Sequence, residues 1–109
     1  MKNGLEIDIF GVKRYYLNDL LHRLDGPAVI YPNGEKIWCQ NDLFHREDGP
    51  AYEWPDGCKE WFFHDKLHRL DGPAVECPND ETQWWIHDKK IPVKTQEEFE
   101  QYKRLMVFT

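Results

Sequence analysis

The chain has no serine, which removes serine nucleophiles from consideration. Cysteine is scarce. Cys39, Cys58 and Cys77 are an odd number and fall at three different phases of the repeat described below. That distribution predicts neither a disulfide framework nor a metal cluster, and the three thiols are expected as reduced filler in a cytosolic protein. No apolar run approaches the roughly 18 residues of a membrane span. The first residues, Met1 to Glu6, carry no apolar stretch of the kind that directs secretion. Basic charge is in deficit, with 14 Lys and Arg against 20 Asp and Glu, for a net charge of −6. A chain of that sign gains nothing from phosphate electrostatics, so neither nucleic acid nor a membrane is an expected partner. Phosphate-binding loops, dinucleotide-binding glycine patterns and Cys-x-x-Cys pairs are also missing.

What is present is aromatic and repetitive. Aromatics make up 15% of the 109 residues, and a chain of this length suits one domain, 1–109. Leu21-His22-Arg23-Leu24-Asp25-Gly26-Pro27-Ala28 recurs as Phe44-His45-Arg46-Glu47-Asp48-Gly49-Pro50-Ala51 and as Leu67-His68-Arg69-Leu70-Asp71-Gly72-Pro73-Ala74, twice at a spacing of about 23. Pro32-Asn33-Gly34, Pro55-Asp56-Gly57 and Pro78-Asn79-Asp80 keep the same period. So do Tyr15, Trp38, Trp61 and Trp84, and the pairs Asn18-Asp19, Asn41-Asp42, His64-Asp65 and His87-Asp88. The units are a partial copy at 2–24 and full copies at 25–47, 48–70 and 71–92. Atypical end units are expected of a stacked array, whose ends face water or a cap.

Turn chemistry divides each unit. Pro-Asn-Gly and Pro-Asp-Gly supply a glycine for positive φ, and Asp80 replaces that glycine in the last copy. The residue before a proline is pushed to extended geometry, so Gly-Pro-Ala opens a strand. Strands are predicted at 28–31, 51–54 and 74–77, and at 13–17, 36–40, 59–63 and 82–86. Alternation places Tyr15, Trp38, Trp61 and Trp84 in one column, expected on the core side. Tyr16, Cys39, Phe62 and Trp85 then lie on the opposite, mixed face, with Glu53 and Glu76 nearby. The fold expected is all-β, an elongated antiparallel sheet of tandem β-hairpins. Thr95 to Glu98 matches a capping box, and Phe99, Tyr102, Leu105 and Met106 form one helical stripe. A C-terminal α-helix over 95–106 is therefore expected to cap the last unit.

The 23-residue period, the aromatic strand, the Pro-Asp-Gly turn and the recurring His resemble MORN repeats over residues 2–92. The match departs in motif, because His-Arg-x-Asp-Gly-Pro-Ala stands where those repeats have His-Gly-x-Gly. The variant resembles repeats of small phage, bacterial and giant-virus proteins. That resemblance implies a β-ribbon and a protein-interaction role. A phage origin would imply an accessory protein that binds and disables a host defence factor in the host cytoplasm.

Two constellations invite chemistry. His64-Asp65 and His87-Asp88 look like metal-dependent hydrolase pairs, but their counterparts are Asn-Asp, which points to hairpin turns at positive φ. The second is the row of corners: His22, Arg23, Asp25; His45, Arg46, Asp48; His68, Arg69, Asp71. Equivalent atoms in stacked units lie about 10 Å apart, at two strands of about 4.8 Å per unit. Zinc holds its ligands at about 2.0–2.1 Å. Neither metal nor cofactor is therefore expected, and the local reading has Arg pairing with Asp while His bonds turn backbone.

Three functions remain. The leading one is a non-catalytic module that binds another protein through Tyr16, Phe62, Trp85, Glu53 and Glu76. The second is an acidic mimic of nucleic acid, inhibiting a nuclease with Glu35, Glu53, Glu60, Glu76 and Glu81. The third is a small hydrolase or ligand-binding protein built on the corners. An uncovered strand edge over 5–10, carrying Ile7, Ile9 and Phe10, is also placed to pair two copies.

Overall fold

The computed structural model describes residues 1–79 and 81–106. The left-handed conformation expected of Asp80 lies outside the described residues. The described residues form fourteen short strands and one helix: β1 (Gly4–Ile7), β2 (Lys13–Leu17), β3 (Leu20–Leu21), β4 (Val29–Ile30), β5 (Lys36–Ile37), β6 (Cys39–Gln40), β7 (Leu43–Phe44), β8 (Tyr52–Glu53), β9 (Lys59–Glu60), β10 (Phe62–Phe63), β11 (Lys66–Leu67), β12 (Val75–Glu76), β13 (Thr82–Ile86), β14 (Lys89–Ile91) and α1 (Gln96–Met106). Pairing is antiparallel throughout. One open sheet runs β1-β2-β4-β5-β8-β9-β12-β13-β14, while β6-β7 and β10-β11 are separate hairpins beside it. The molecule measures 49 × 30 × 18 Å.

The expected strands 13–17 and 82–86 form at those bounds. Those at 36–40 and 59–63 break at Trp38 and Trp61. There the chain leaves the long sheet for its local hairpin, and the Trp N–H turns to the carbonyl of Ala51 or Ala74 in the next unit. The hairpin turns follow the Asn-Asp and His-Asp reading. Asn18, Asp19, Asn41, Asp42, His64, Asp65, His87 and Asp88 all have φ between 47° and 69°, the two-residue geometry that matches strand twist. The Pro-Asn-Gly and Pro-Asp-Gly turns close with Gly34 at φ 94° and Gly57 at φ 95°. The N-terminal strand ends earlier than expected. Asp8 starts a turn there, accepting from the N–H of Phe10 and Val12. The Arg14 guanidinium, 2.8 Å from the Asp8 carboxylate, holds that carboxyl below its usual range, helped by those backbone donors.

Burial corrects the expected faces. Tyr15, Trp38 and Trp61 are half-buried rather than core, and only Trp84 of that column is buried. The interior on the N-terminal side consists of Val12, Ala28, Val29, Ile37 and Cys39, with Leu21, Tyr31, Phe44 and Tyr52 against it. The positions with no exposed surface are the small ones, Ala28, Ala51 and Ala74, whose carbonyls accept from the backbone N–H of Tyr15, Trp38 and Trp61.

Cysteine pairing is the second correction. Cys58 and Cys77 form a disulfide, with Cα atoms 4.1 Å apart. The β9–β12 register pairs Lys59 with Glu76, so its next step sets Cys58 opposite Cys77. In an antiparallel stack, neighbouring units meet through different phases of the repeat, so unequal phase does not keep cysteines apart. The expectation of three reduced thiols fails for this pair. Cys39 remains free and buried, and burial, with Asp42 and Asp65 adding to it, pushes its thiol up to about 12.

Helix α1 caps the last unit as expected. The Glu98 N–H donates to Thr95 Oγ1 at 3.1 Å, and the Glu98 carboxylate accepts from the Lys94 N–H at 3.0 Å. Phe99 is 0% exposed and packs with Trp84, Ile86 and Ile91. The apolar stripe is only half used, since Tyr102 is half-buried while Leu105 and Met106 face outward.

Candidate functional site

The corner residues share one build three times, Arg69 alone of the three also donating to a strand carboxylate, that of Glu76, at 2.8 Å. Each Arg guanidinium lies over the aromatic ring of its own unit's strand: Arg23 over Tyr15 at 4.0 Å, Arg46 over Trp38 at 3.8 Å, and Arg69 over Trp61 at 3.9 Å from the ring centroid. Its Nε donates to the Asp two residues on, at 3.0, 3.2 and 2.8 Å. One Nη donates to the Pro carbonyl four residues on, at 3.2, 3.2 and 3.1 Å. The glycine between them is dictated by this packing. A Cβ on Gly26, Gly49 or Gly72 would lie 2.6, 2.5 or 2.8 Å from the Arg Cζ. Thus Arg, Asp, Gly and Pro of the motif hold one guanidinium flat against one ring.

The histidines face the other way, toward the next unit. His22 Nδ1 accepts from the Asn41 N–H at 3.1 Å, His45 from His64 and His68 from His87 at 3.0 Å. An imidazole accepting at Nδ1 is neutral and carries its proton on Nε2. His64 stacks on His45 and His87 on His68, with ring centroids 4.2 and 4.3 Å apart. All five histidines are thereby accounted for. Burial, then the charge of His87, lowers the pKa of His68. His45, 2% exposed, has Glu47 3.5 Å from its Nε2. The turn aspartates clamp the same junctions. Asp42, Asp65 and Asp88 carboxylates accept from the N–H of Leu21, Phe44 and Leu67, each one unit back. At the first unit Asn3 stands in for the missing His, its Oδ1 accepting from the Asn18 N–H at 2.9 Å.

The Nδ1 of His22, His45 and His68 and the guanidinium of each corner Arg are bonded to neighbouring groups, while the corner Asp carboxylates remain largely exposed. Among the described residues no group of three or more His, Cys, Asp or Glu converges as a metal cage. Cys39 is buried, and that burial favours its neutral thiol.

The residues expected to bind a partner are each half-buried. Tyr16, Phe62 and Trp85 are half-buried, Phe62 packs on Phe44 at 5.3 Å, and the Trp85 indole N–H donates to Gln83. Glu53 and Glu76 are half-buried; Glu53 lies in register with Lys36 and Lys59, and Glu76 with Lys59 and Thr82 while it accepts from the Arg69 guanidinium at 2.8 Å. Glu35 accepts from the Tyr52 hydroxyl and Glu60 from the Trp54 indole N–H. Alternating signs therefore replace the expected acidic stripe on that face.

Two open grooves lie along the corners. A groove of 330 Å³ is lined by Arg46, Asp48, Trp61, His68, Leu70 and Asp71 among others. A second, of 310 Å³, is lined by Leu24, Trp38, His45, Arg46, Glu47 and Asp48. A shift of 23 positions maps Trp38, His45 and Arg46 onto Trp61, His68 and Arg69. Trp38 Nε1 is a buried donor without a protein partner. Leu24, Glu47 and Leu70, which rim the grooves, are exposed and were not singled out in the sequence. Their signal was available, since they fill the one variable position of the His-Arg-x-Asp-Gly-Pro-Ala frame.

No family model, no curated protein and no solved structure matches this chain.

Proposed function

We propose that the protein is a non-catalytic module that binds another protein along its row of corners. The observation that carries this is the pair of equivalent grooves, side by side and related by one repeat. Each offers an indole, an exposed carboxylate beside a guanidinium, and a rim residue free to vary. Units repeat at about 10 Å, close to the reach of three extended residues at about 3.3–3.6 Å each. An extended segment with a basic or apolar residue at every third position fits this spacing. The exposed carboxylates of Asp25, Glu47, Asp48 and Asp71 favour a basic partner. The same row supports an acidic inhibitor of a nucleic-acid-binding groove, and the MORN-like motif supports a phage- or virus-encoded antagonist of a host defence protein.

The test replaces exposed rim residues and leaves the corners intact. Leu24→Asp, Glu47→Lys and Leu70→Asp are combined in one variant. Capture of a stoichiometric partner by the wild type and its loss in this variant, at unchanged melting temperature, supports the corner face. Equal capture by both overturns it. Binding that weakens steeply with salt indicates the acidic-mimic form, and binding indifferent to salt excludes it.

A further inference from the structure

We infer that the Cys58–Cys77 disulfide is a thiol–disulfide exchange site, reached by a small uncharged thiol through an open cleft, and that its reduction loosens one junction of a fold that otherwise stays closed. This chemistry does not depend on what the corner face binds.

The bond is accessible. Both cysteines are half-buried rather than enclosed. With Trp54, Asp56, Glu60 and Val75 they line an open cleft of 270 Å³. Trp54 is 41% exposed, its ring stacked on Tyr52. Exchange requires that a thiolate reach a sulfur. Cys39, by contrast, is sealed in the N-terminal core. Alternation keeps Cys58, Glu60, Val75 and Cys77 on one face and sends Lys59 and Glu76 to the other. The charged groups lining the cleft are therefore both acidic. The Asp56 carboxylate accepts from the Cys58 N–H at 2.9 Å, and Glu60 accepts from the Trp54 indole N–H. That sign repels an anionic thiol compound and favours a neutral one.

The repeat shows that the fold closes without this bond. One register step beyond Lys59–Glu76 sets Cys58 opposite Cys77. The same step sets Glu35 opposite Trp54 and Val12 opposite Tyr31 at the two earlier junctions. Those junctions carry the same hydrogen bonds with no covalent link. The Trp61 N–H donates to the Ala74 carbonyl at 2.7 Å, as Trp38 does to Ala51 at 2.6 Å and Tyr15 to Ala28 at 2.8 Å. The strands thus hold Cys58 opposite Cys77 whether or not the bond is made, which lets it open and re-form.

Only this junction is conditional. The bond joins residues 19 apart and encloses Trp61, His68, Arg69 and Asp71, which line one of the two corner grooves. A cross-link restricts the opened chain within its loop. Reduction therefore eases opening of 58–77 and leaves 1–47 as before. In the exchange, the donor's thiolate attacks one sulfur and the S–S bond breaks. The other cysteine leaves as a thiolate and takes the proton the donor gave up. A second donor thiolate attacks the donor's sulfur in the mixed disulfide. The donor departs oxidised, as its own disulfide, and two cysteine thiols remain.

The test treats the oxidised full chain with 2-mercaptoethanol well below its melting temperature. Freed cysteines are alkylated and located by mass spectrometry. Cys58 and Cys77 should be labelled at a rate indifferent to urea below the unfolding transition, with Cys39 unlabelled. A rate that climbs steeply with urea, or Cys39 labelled in step, overturns direct access. At low salt 3-mercaptopropionate should react about two- to fivefold more slowly per thiolate. Asp56→Asn/Glu60→Gln should remove most of that difference. Asn33 already fills the Asp56 role one unit earlier, its Oδ1 accepting from the Glu35 N–H at 3.0 Å. Equal rates for both thiols on the wild type overturn the preference for an uncharged donor. Hydrogen exchange of the reduced protein should quicken at least about tenfold within 59–76 and stay unchanged in β2 and β4. Cys58→Ala/Cys77→Ala should show the same pattern without any thiol. Exchange that quickens along the whole chain, or nowhere, overturns the loosened junction.

Discussion

Gly49→Ala isolates the packing that explains the repeated motif. Gly49 is buried and its φ is not in the left-handed region, so alanine costs nothing in backbone strain. The three atoms nearest an added methyl all belong to the Arg46 guanidine, at 2.5 to 2.8 Å. The guanidinium must leave the Trp38 ring, which forfeits a cation–π contact of about 0.5–2 kcal/mol. It also strains hydrogen bonds to Asp48 and the Pro50 carbonyl, worth about 0.5–1.5 kcal/mol each at most, and less for the exposed carboxylate. The expected loss is about 1–3 kcal/mol. Arg46→Ala should cost about the same. The decisive variant is the double one, because without Arg46 the new methyl has room. Gly49→Ala in the Arg46→Ala background should then be neutral, or stabilise by about 0.4–1 kcal/mol through the unfolded chain. Urea denaturation of the four proteins measures the coupling. Additive losses would refute the account.

Three further outcomes are expected. Native protein should show no thiol reactive to a disulfide reagent; unfolding should expose one, Cys39, and reduction should add the two of the Cys58–Cys77 bond, by titration in each state. His68 has a lowered folded pKa, so the unfolded chain binds the proton first as pH falls. Its stabilising share is complete above about 6.5 and is lost as pH falls from there through the folded value. Melting temperatures should therefore drop over that window, and His68→Asn should flatten it, because Asn3 already fills the equivalent role with an amide oxygen. The separate loss as Asp8 and Asp71 protonate comes below their ordinary value of 3.8. Finally, Phe99→Ala, at a fully buried site, should cost about 3–5 kcal/mol, more than Trp61→Ala at its half-covered ring, as judged by chemical denaturation.

The period, the hairpin turns and the capping helix were legible because each rests on local chemistry: asparagine, aspartate and glycine at positive φ, threonine before a helix. The faces were not legible. Alternation sorts Trp38 from Cys39 correctly but does not say which side is inside, and the larger side chain was the wrong guide. What decided it was Ala28, Ala51 and Ala74, whose smallness marks where units close on one another. The disulfide was missed because like phases were compared with like, whereas cross-strand pairing joins residues 19 apart. The corner site was half legible. The Arg–Asp pairing is local in sequence, but the His bond crosses to the following unit and the indole beneath the guanidinium lies 8 residues back in the sequence.

The His and turn-Asp fastenings recur at the three junctions between the units from 2–24 to 71–92, and each reaches one unit and no further. The chain's length is therefore an adjustable quantity. A duplicated 48–70 segment would present its His and carbonyls to the unit after it and its turn Asp to the unit before, as the original does. The rod would lengthen by about 10 Å per added copy, with Asn3 still closing one end and Phe99 the other. Such a molecule behaves as a ruler whose graduations are copied in the gene, and duplication of one segment is enough to recalibrate it.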